Sequence, residues 1–223
     1  MHFRSLISLF AVSAMAAGAL GQISPSGGGY LFRLKYTPGE VLNYKLTASV
    51  PGSTTQGMSM AMKMKVLSVT NGIAHIQATS SSTANGRSFN MPAQDIKIDT
   101  LGKSTGGGMA GAAFNCPAKP IKVGDTWSGD LPGMNGKAMG VQTHLTFKAI
   151  KVINGRKEAL LGIKIQFSGQ MQGSGDGTIQ LDAADGQIRL LTFDMNITAN
   201  MPQGQGQPPK PTNIHATTTM TRV

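Results

Sequence analysis

From residue 41 to residue 50 the chain alternates without a break. Leu42, Tyr44, Leu46, Ala48 and Val50 fall on one parity, and Asn43, Lys45, Thr47 and Ser49 on the other. Side chains of a strand point to opposite faces in turn, so this pattern buries one face of an antiparallel strand. A helix would scatter the same apolar residues around its circumference. Further pairs of runs flank Asn71-Gly72 and Asn154-Gly155. Both residue types tolerate positive φ, which the type I′ turn of a two-residue hairpin requires. No stretch beyond residue 22 carries a 3.6-residue period. The expected fold is all-β: a single antiparallel curved sheet or incomplete barrel of about ten strands.

These signals recur at a fixed distance. Lys65-Val-Leu-Ser-Val-Thr-Asn-Gly72 aligns with Lys148-Ala-Ile-Lys-Val-Ile-Asn-Gly155, 83 residues on, and Ile96-Lys-Ile-Asp99 aligns with Ile179-Gln-Leu-Asp182 at the same spacing. Pro38-Gly39-Glu40 has a looser partner in Val123-Gly124-Asp125. One long period with two copies points to a duplication rather than a solenoid. The expected copies span residues 37–115 and 122–200, followed by a strand over 214–223. After Gly102 the first copy turns glycine-rich (Gly106, Gly107, Gly108, Gly111) and suits a packed strand poorly, whereas the second continues as a strand past Gln187. Residues 202–211, rich in Gly and Pro, read as a loop.

The N-terminus has the form of an export signal. Arg4 precedes an uncharged apolar run from Leu6 to Leu20, and Ala19 and Gly21 form a small-residue pair for cleavage before Gln22. That run is shorter than the roughly 20 residues of a spanning helix. The expected organisation is a signal peptide over 1–21, one β domain over 22–223, and a periplasmic or extracellular destination with no transmembrane span in the mature chain. A domain of about 200 residues buries roughly 70 % of its unfolded surface and needs no covalent staple. Cys116 stands alone, cannot form an intrachain bridge, and reads as an inert thiol.

The densest chemical feature is Met58-Ser-Met60-Ala-Met62-Lys-Met64. At strand spacing Met58, Met60, Met62 and Met64 share one face, about 7 Å apart. Thioethers are soft ligands for Cu(I), which is one use of such a stripe; an adaptable apolar face is the other. At the 83-residue spacing Met60 falls on Thr143, Met62 on Leu145 and Met64 on Phe147. Ordinary core residues thus fill most of that face in the second copy, which favours the apolar reading. The candidate ligand wall is Met60, Met62, Met64, Leu145 and Phe147, with the four methionines as the alternative metal site.

Other candidates fall to their context. His75 aligns with Glu158, and His144 and His215 are isolated. Gly102-Lys103-Ser104 lacks the upstream glycine and following helix of a phosphate loop, and Asp182-Ala-Ala-Asp-Gly186 is two ligands short of a calcium loop. Asp125 and Asp130 flank Trp127 as turn residues. No nucleophile elbow or paired-cysteine metal spacing is present, so neither a catalytic residue nor a cofactor is assigned. The net charge of +10 is spread over many strands and aromatics are only 5 % of the chain. That argues against nucleic acid, which wants clustered cations or stacking rings, and against a transmembrane barrel, which wants aromatic girdles. Weak attraction to an anionic envelope component is the expected consequence.

Tyr36-Thr-Pro-Gly-Glu-Val-Leu-Asn-Tyr44, Pro120-Ile-Lys-Val-Gly-Asp-Thr-Trp127 and the Asp182 to Gly186 hairpin resemble segments of an uncharacterised family of exported bacterial β-rich proteins. That family is similar in pattern to curved-sheet and half-barrel envelope proteins, some of which shield acyl chains in a concave cavity. This chain lacks the lipoprotein cysteine of many such half-barrels. The resemblance implies a curved sheet and a hydrophobic ligand, and carries no catalytic residues. The expected function is an exported, non-enzymatic binding or structural module holding a hydrophobic small molecule, with periplasmic Cu(I) binding as the alternative. The sequence leaves the oligomeric state open.

Overall fold

The computed structural model describes residues 22–49, 58–84, 87–106, 115–130, 141–168, 171–201 and 210–223. The signal peptide expected over 1–21 lies outside them. No helix occurs among the described residues. A short hairpin, β1 (Ser24–Ser26) and β2 (Gly29–Leu31), precedes one antiparallel sheet of eleven strands. These are β3 (Val41–Ser49), β4 (Met58–Thr70), β5 (Ile73–Ala84), β6 (Arg87–Asp99), β7 (Ser104–Gly106), β8 (Thr126–Asp130), β9 (Val141–Ile153), β10 (Arg156–Phe167), β11 (Met171–Asp182), β12 (Ile188–Met201) and β13 (Lys210–Arg222).

The spatial order is β7-β6-β5-β4-β3-β13-β12-β11-β10-β9-β8. Two five-strand meanders, β3–β7 and β8–β12, lie end to end with β13 between them. Their edges do not meet, so the sheet is open. Of the glycine-rich stretch of the first meander, residues 104–106 form β7 and residues 107–114 lie outside the described ones; its counterpart is the fourteen-residue β12. Asp130 ends β8 rather than lying in a turn.

Local chemistry explains the turns. Asn71 and Asn154 take φ of 52° and 50°, followed by Gly72 and Gly155 at 76° and 77°, the geometry of a type I′ hairpin. Asp99 Oδ1 accepts from the Leu101 and Lys103 amides, and Asp182 Oδ1 accepts from the Ala184 amide. Carboxylates thereby hold the two hairpins that end β6 and β11. Glu40 and Asp125 also do the same work. Each accepts from the amide three residues upstream (Thr37, 3.1 Å; Lys122, 2.8 Å), and Gly39 and Gly124, immediately before the acids, take φ of 83° and 96°.

These last turns fix how the two meanders correspond in space. Gly39 N donates to Val66 O and Val66 N to Glu40 O; Gly124 N donates to Phe147 O and Phe147 N to Asp125 O. Val66 therefore occupies the place of Phe147, and Met64, paired with Leu42, the place of Leu145, paired with Trp127. The 83-residue spacing instead matches Met64 to Phe147 and Met62 to Leu145, two residues out of step. The cause is that the β9–β10 arms run two residues further from the bulge to their turn; the bulge itself keeps its place, at Lys148 just after Phe147 and at Leu67 just after Val66.

The core is one cluster on one face, the inner face, and occupies one end of the long strands. Val66, Ile76, Ile96 and Ile98 from the first meander and Leu145, Phe147, Leu161, Ile179 and Leu181 from the second are all almost fully buried. What fills the space between them is the segment ahead of β3. The fully buried Phe32 ring packs edge-on to Phe147 at 5.1 Å and tilted against Trp127 at 6.1 Å, and Tyr30 meets Phe147 at 5.5 Å. Leu34 N bonds to Thr100 O of the first meander, while Lys35 N bonds to Asp185 O of the second. One strap, residues 22–36, thus ties the meanders together and contributes the apolar surface that neither supplies alone.

The outer face is polar. Thr178, Thr192, Thr219, Thr47, Ser59 and Thr83 stand directly opposite one another across six successive strands. Lys45, Lys63, Lys65 and Lys164 share this exposed face.

Candidate functional site

Beyond the strap the inner face continues uncovered. Following the pairing outward from the core, β3 offers Leu46 and Ala48, opposite Met60 and Met58 of β4. Ser80 and Ser82 of β5 then face Met91 and Phe89 of β6. On the other side Met195 and Ile197 of β12 stand opposite Ala216 and Ile214 of β13, and Ile165 and Phe167 of β10 complete the row. Met58 is 42 % exposed, Met91 43 % and Phe89 56 %, while Leu46, Met60, Ile165, Phe167 and Ile197 are half-buried. A scattered apolar side chain on a surface means little; apolar residues on the same face of six strands, with the Ser80 and Ser82 hydroxyls of β5 and the glycines of β11 among them, mark a place where apolar matter docks.

The five residues of the candidate wall divide between these two regions. Leu145, Phe147 and Met64 are 2 %, 0 % and 5 % exposed, in contact with the strap and core, so they form packed interior and not the lining of a cavity. The alternation of apolar residues shows that a face is covered, but not by what; here residues 22–36 cover it. Met62 packs partly against the core, and Met60 lies one step further out. Of the four methionines proposed for a metal, Met64 is withdrawn into the core, leaving Met58, Met60 and Met62 accessible. No group of three His, Cys, Asp or Glu residues able to hold a metal occurs among the described residues.

β11 shapes the far half of this face. Gly173, Gly175 and Gly177 present no side chain to it, and a Cβ at Gly175 would meet the Phe193 ring and the Asp194 carbonyl. The glycines let β12 approach closely and let Phe193 lie flat over β11. Nearby, Thr143 of β9 sits on the inner face opposite Ile165, 3 % exposed, and its Oγ1 has no hydrogen-bond partner. Thr143, Ile165, Phe167, Met195 and Ile214 did not stand out in the sequence as site residues, and the spacing of Gly173, Gly175 and Gly177 did not say what they make room for. The signal available was parity alone, for instance Phe193, Met195 and Ile197 in β12.

Among the described side chains, charge on the inner face gathers at the strap end. Arg222 of β13 donates from Nη1 to Asp185 Oδ2 at 2.5 Å and from Nη2 to Glu40 Oε1 at 3.5 Å, joining both meanders. Tyr44 lies beside this cluster, and burial pushes its phenol up to about 12. Burial likewise raises Tyr36, whose main opposing influence is a hydrogen bond with Gln187, and lifts the Cys116 thiol to about 12. Cys116 is therefore a protonated core residue with no thiolate to offer a substrate. His75 lies 3.8 Å from Asp95 at a partly exposed position, and His144 and His215 are exposed on the outer face. A shallow depression of about 250 Å³ at the edge of β3, β4 and β13 is lined by Thr47, Ser59, Thr217 and Thr219 together with Ala48 and Met58.

No family model matches the chain, and no curated protein matches it. A solved structure of lipovitellin, described for its lipid–protein interactions, superposes on 85 % of this chain with a TM-score of 0.51 and 9 % identity. The chain spans about a quarter of that protein, with 25 % of it covered. At this identity the likeness is one of fold: a broad open antiparallel sheet.

Proposed function

We propose that this chain is an exported, non-enzymatic module that holds a hydrophobic ligand against the uncovered half of its inner face. One observation carries the reading: the apolar face runs on past the strap, from Phe89 and Met91 through Met60 and Leu46 to Met195 and Ile197, with nothing in the chain's described residues laid over it. Covering such a face gains about 25 cal/mol per Å² of apolar surface removed from water. Methionine-rich walls also adapt to chains of differing shape, because the thioether arm has three rotatable bonds and a polarisable sulfur. The likeness to lipovitellin supports this reading, since that structure is one in which lipid meets protein.

Native mass spectrometry of protein purified from its own host tests it, together with uptake of fluorescent acyl probes. A non-covalent hydrophobic adduct, and probe binding lost in Met60→Asp and Met195→Asp, is the expected result. Bare polypeptide with no probe uptake overturns the proposal.

The second reading, Cu(I) binding, keeps only Met58, Met60 and Met62 as accessible thioethers. Titration with Cu(I) against a competing chelator decides it: affinity unchanged when all three become leucine rules the stripe out.

A further inference from the structure

We infer that the outer face of β3 and β4 is a second binding surface, separate from the inner face, and that it takes an acidic polysaccharide. Most described carboxylates are already engaged. Asp99, Asp125 and Asp182 accept from turn amides, and Asp194 accepts from Thr217. Glu40 and Asp185 hold Arg222, and Asp95 lies near His75. By contrast β13, β3, β4 and β5, neighbours in the sheet, contain no Asp or Glu. On the outer side of these strands stand Lys45, Lys63 and Lys65, all exposed.

Lys63 follows Lys65 at about 7 Å along β4 and lies at a similar diagonal distance from Lys45, which stands opposite Ala61. None of the three forms an ion pair among the described residues, the terminal carboxylate of Val223 included. Three like charges in one place repel, and an anionic partner relieves them. The surroundings narrow its chemistry. Thr79 faces Lys63, Thr221 faces Lys45, and Thr219, Thr47 and Ser59 form the next rung. No Phe, Tyr or Trp among the described side chains lies on this face to stack on a base or enter a bilayer interface. One core cluster draws on both meanders, so the sheet bends round the strap and its outer face is convex. A bilayer touches a convex surface along a narrow strip, whereas a flexible chain follows it. A chain of sugar acids brings carboxylates to the ammoniums and hydroxyls to the threonines.

The test is titration with polygalacturonate at physiological salt. Changing Lys45, Lys63 and Lys65 together to glutamine should weaken binding about tenfold or more with the melting temperature unchanged, and changing them to arginine should preserve it. Glutamine at Lys103, Lys119 and Lys122 removes the same charge from exposed turns and should alter affinity less than about twofold. Thr47→Val with Thr219→Val keeps the charge and should weaken polygalacturonate about 2–5-fold.

No binding at physiological salt overturns the inference. So does an equal loss in the turn-lysine variant, which would mean that net charge alone attracts the polymer. Anionic phospholipid vesicles or duplex DNA held by the same three lysines as tightly as polygalacturonate overturn the choice of a polysaccharide. Unchanged affinity in the double valine variant overturns the hydroxyl contacts. None of these results bears on the inner face, which its own acyl probes test.

Discussion

Truncating Phe32 to alanine should cost this fold far more than its place ahead of the first long strand suggests. The ring is fully buried and sits 5.1 Å from Phe147 and 6.1 Å from Trp127, bridging residues that belong to the second meander. Removing a buried Phe loses its transfer free energy and leaves a cavity, together about 3–5 kcal/mol. The two ring contacts place the value toward the upper part of that range, since each adds about 0.5–1.5 kcal/mol beyond area. In a domain of this size 1 kcal/mol moves the melting temperature by about 2–4 °C, so the expected fall is on the order of 10–15 °C. Urea unfolding followed by far-UV circular dichroism measures it. Trp127, the one tryptophan of the chain, gives an independent fluorescence signal from within the same contact. Met60→Ala, on the uncovered face, serves as the control and should cost about 1 kcal/mol or less. A Phe32→Ala penalty under about 1 kcal/mol would refute the assignment of residues 22–36 to the core.

Three more outcomes follow from the same structure. Burial raises the ionisation of Cys116, Tyr36 and Tyr44 in the folded state, Cys116 and Tyr44 to about 12. The unfolded chain releases these protons from its ordinary values near 9 and 10, so it binds fewer protons than the fold there, and stability should be full below pH 9 and fall as pH rises toward 12. Melting temperatures from pH 8 to 11.5 measure this, and Cys116→Ala should flatten the earliest part of the decline; a flat profile contradicts it. Arg222→Ala strands Asp185 and Glu40 and should cost about 1–3 kcal/mol in chemical unfolding, with Arg222→Lys only a partial rescue because an ammonium cannot fork between two carboxylates. Gly175→Ala should cost about 1–3 kcal/mol by displacing the Phe193 ring, whereas Gly155→Asn, in an open type I′ turn, should cost less than about 1 kcal/mol.

The parts of this fold that were legible in the sequence are those governed by local chemistry. Period-two alternation placed Leu42 and Tyr44 in the core and Lys45 and Lys63 outside it, and both Asn-Gly turns fold as their φ preferences require. What escaped depends on contacts distant along the chain. Phe32, Leu34 and Tyr36 alternate with Arg33 and Lys35, but alternation does not tell a segment that crosses the core from one that runs in the sheet, and nothing local marks Ile23, Phe32 and Leu34 as the cover of both meanders. The insertion of β13 between β12 and β3 is likewise a long-range choice. The 83-residue spacing aligned turns correctly but inner faces wrongly by two residues, because hairpin arms two residues longer keep parity while shifting place. Parity survives such a shift and position does not. Leu145 and Phe147 were therefore rightly seen as inward-facing, yet belong under the strap and not on the uncovered face.

Methionine footprinting reads the division of the inner face in one experiment, because β4 carries its own probes across the boundary. Dilute peroxide followed by peptide mass spectrometry gives the oxidation rate of each sulfur in the folded protein. The expected order is Met58 fastest, Met60 and Met62 intermediate, and Met64 slowest by more than tenfold, as its 5 % exposure under the strap requires. A bound acyl probe should slow the first three and leave Met64 as it was. Equal rates at Met58 and Met64, or protection of all four without ligand, would contradict a face closed at one end and open at the other.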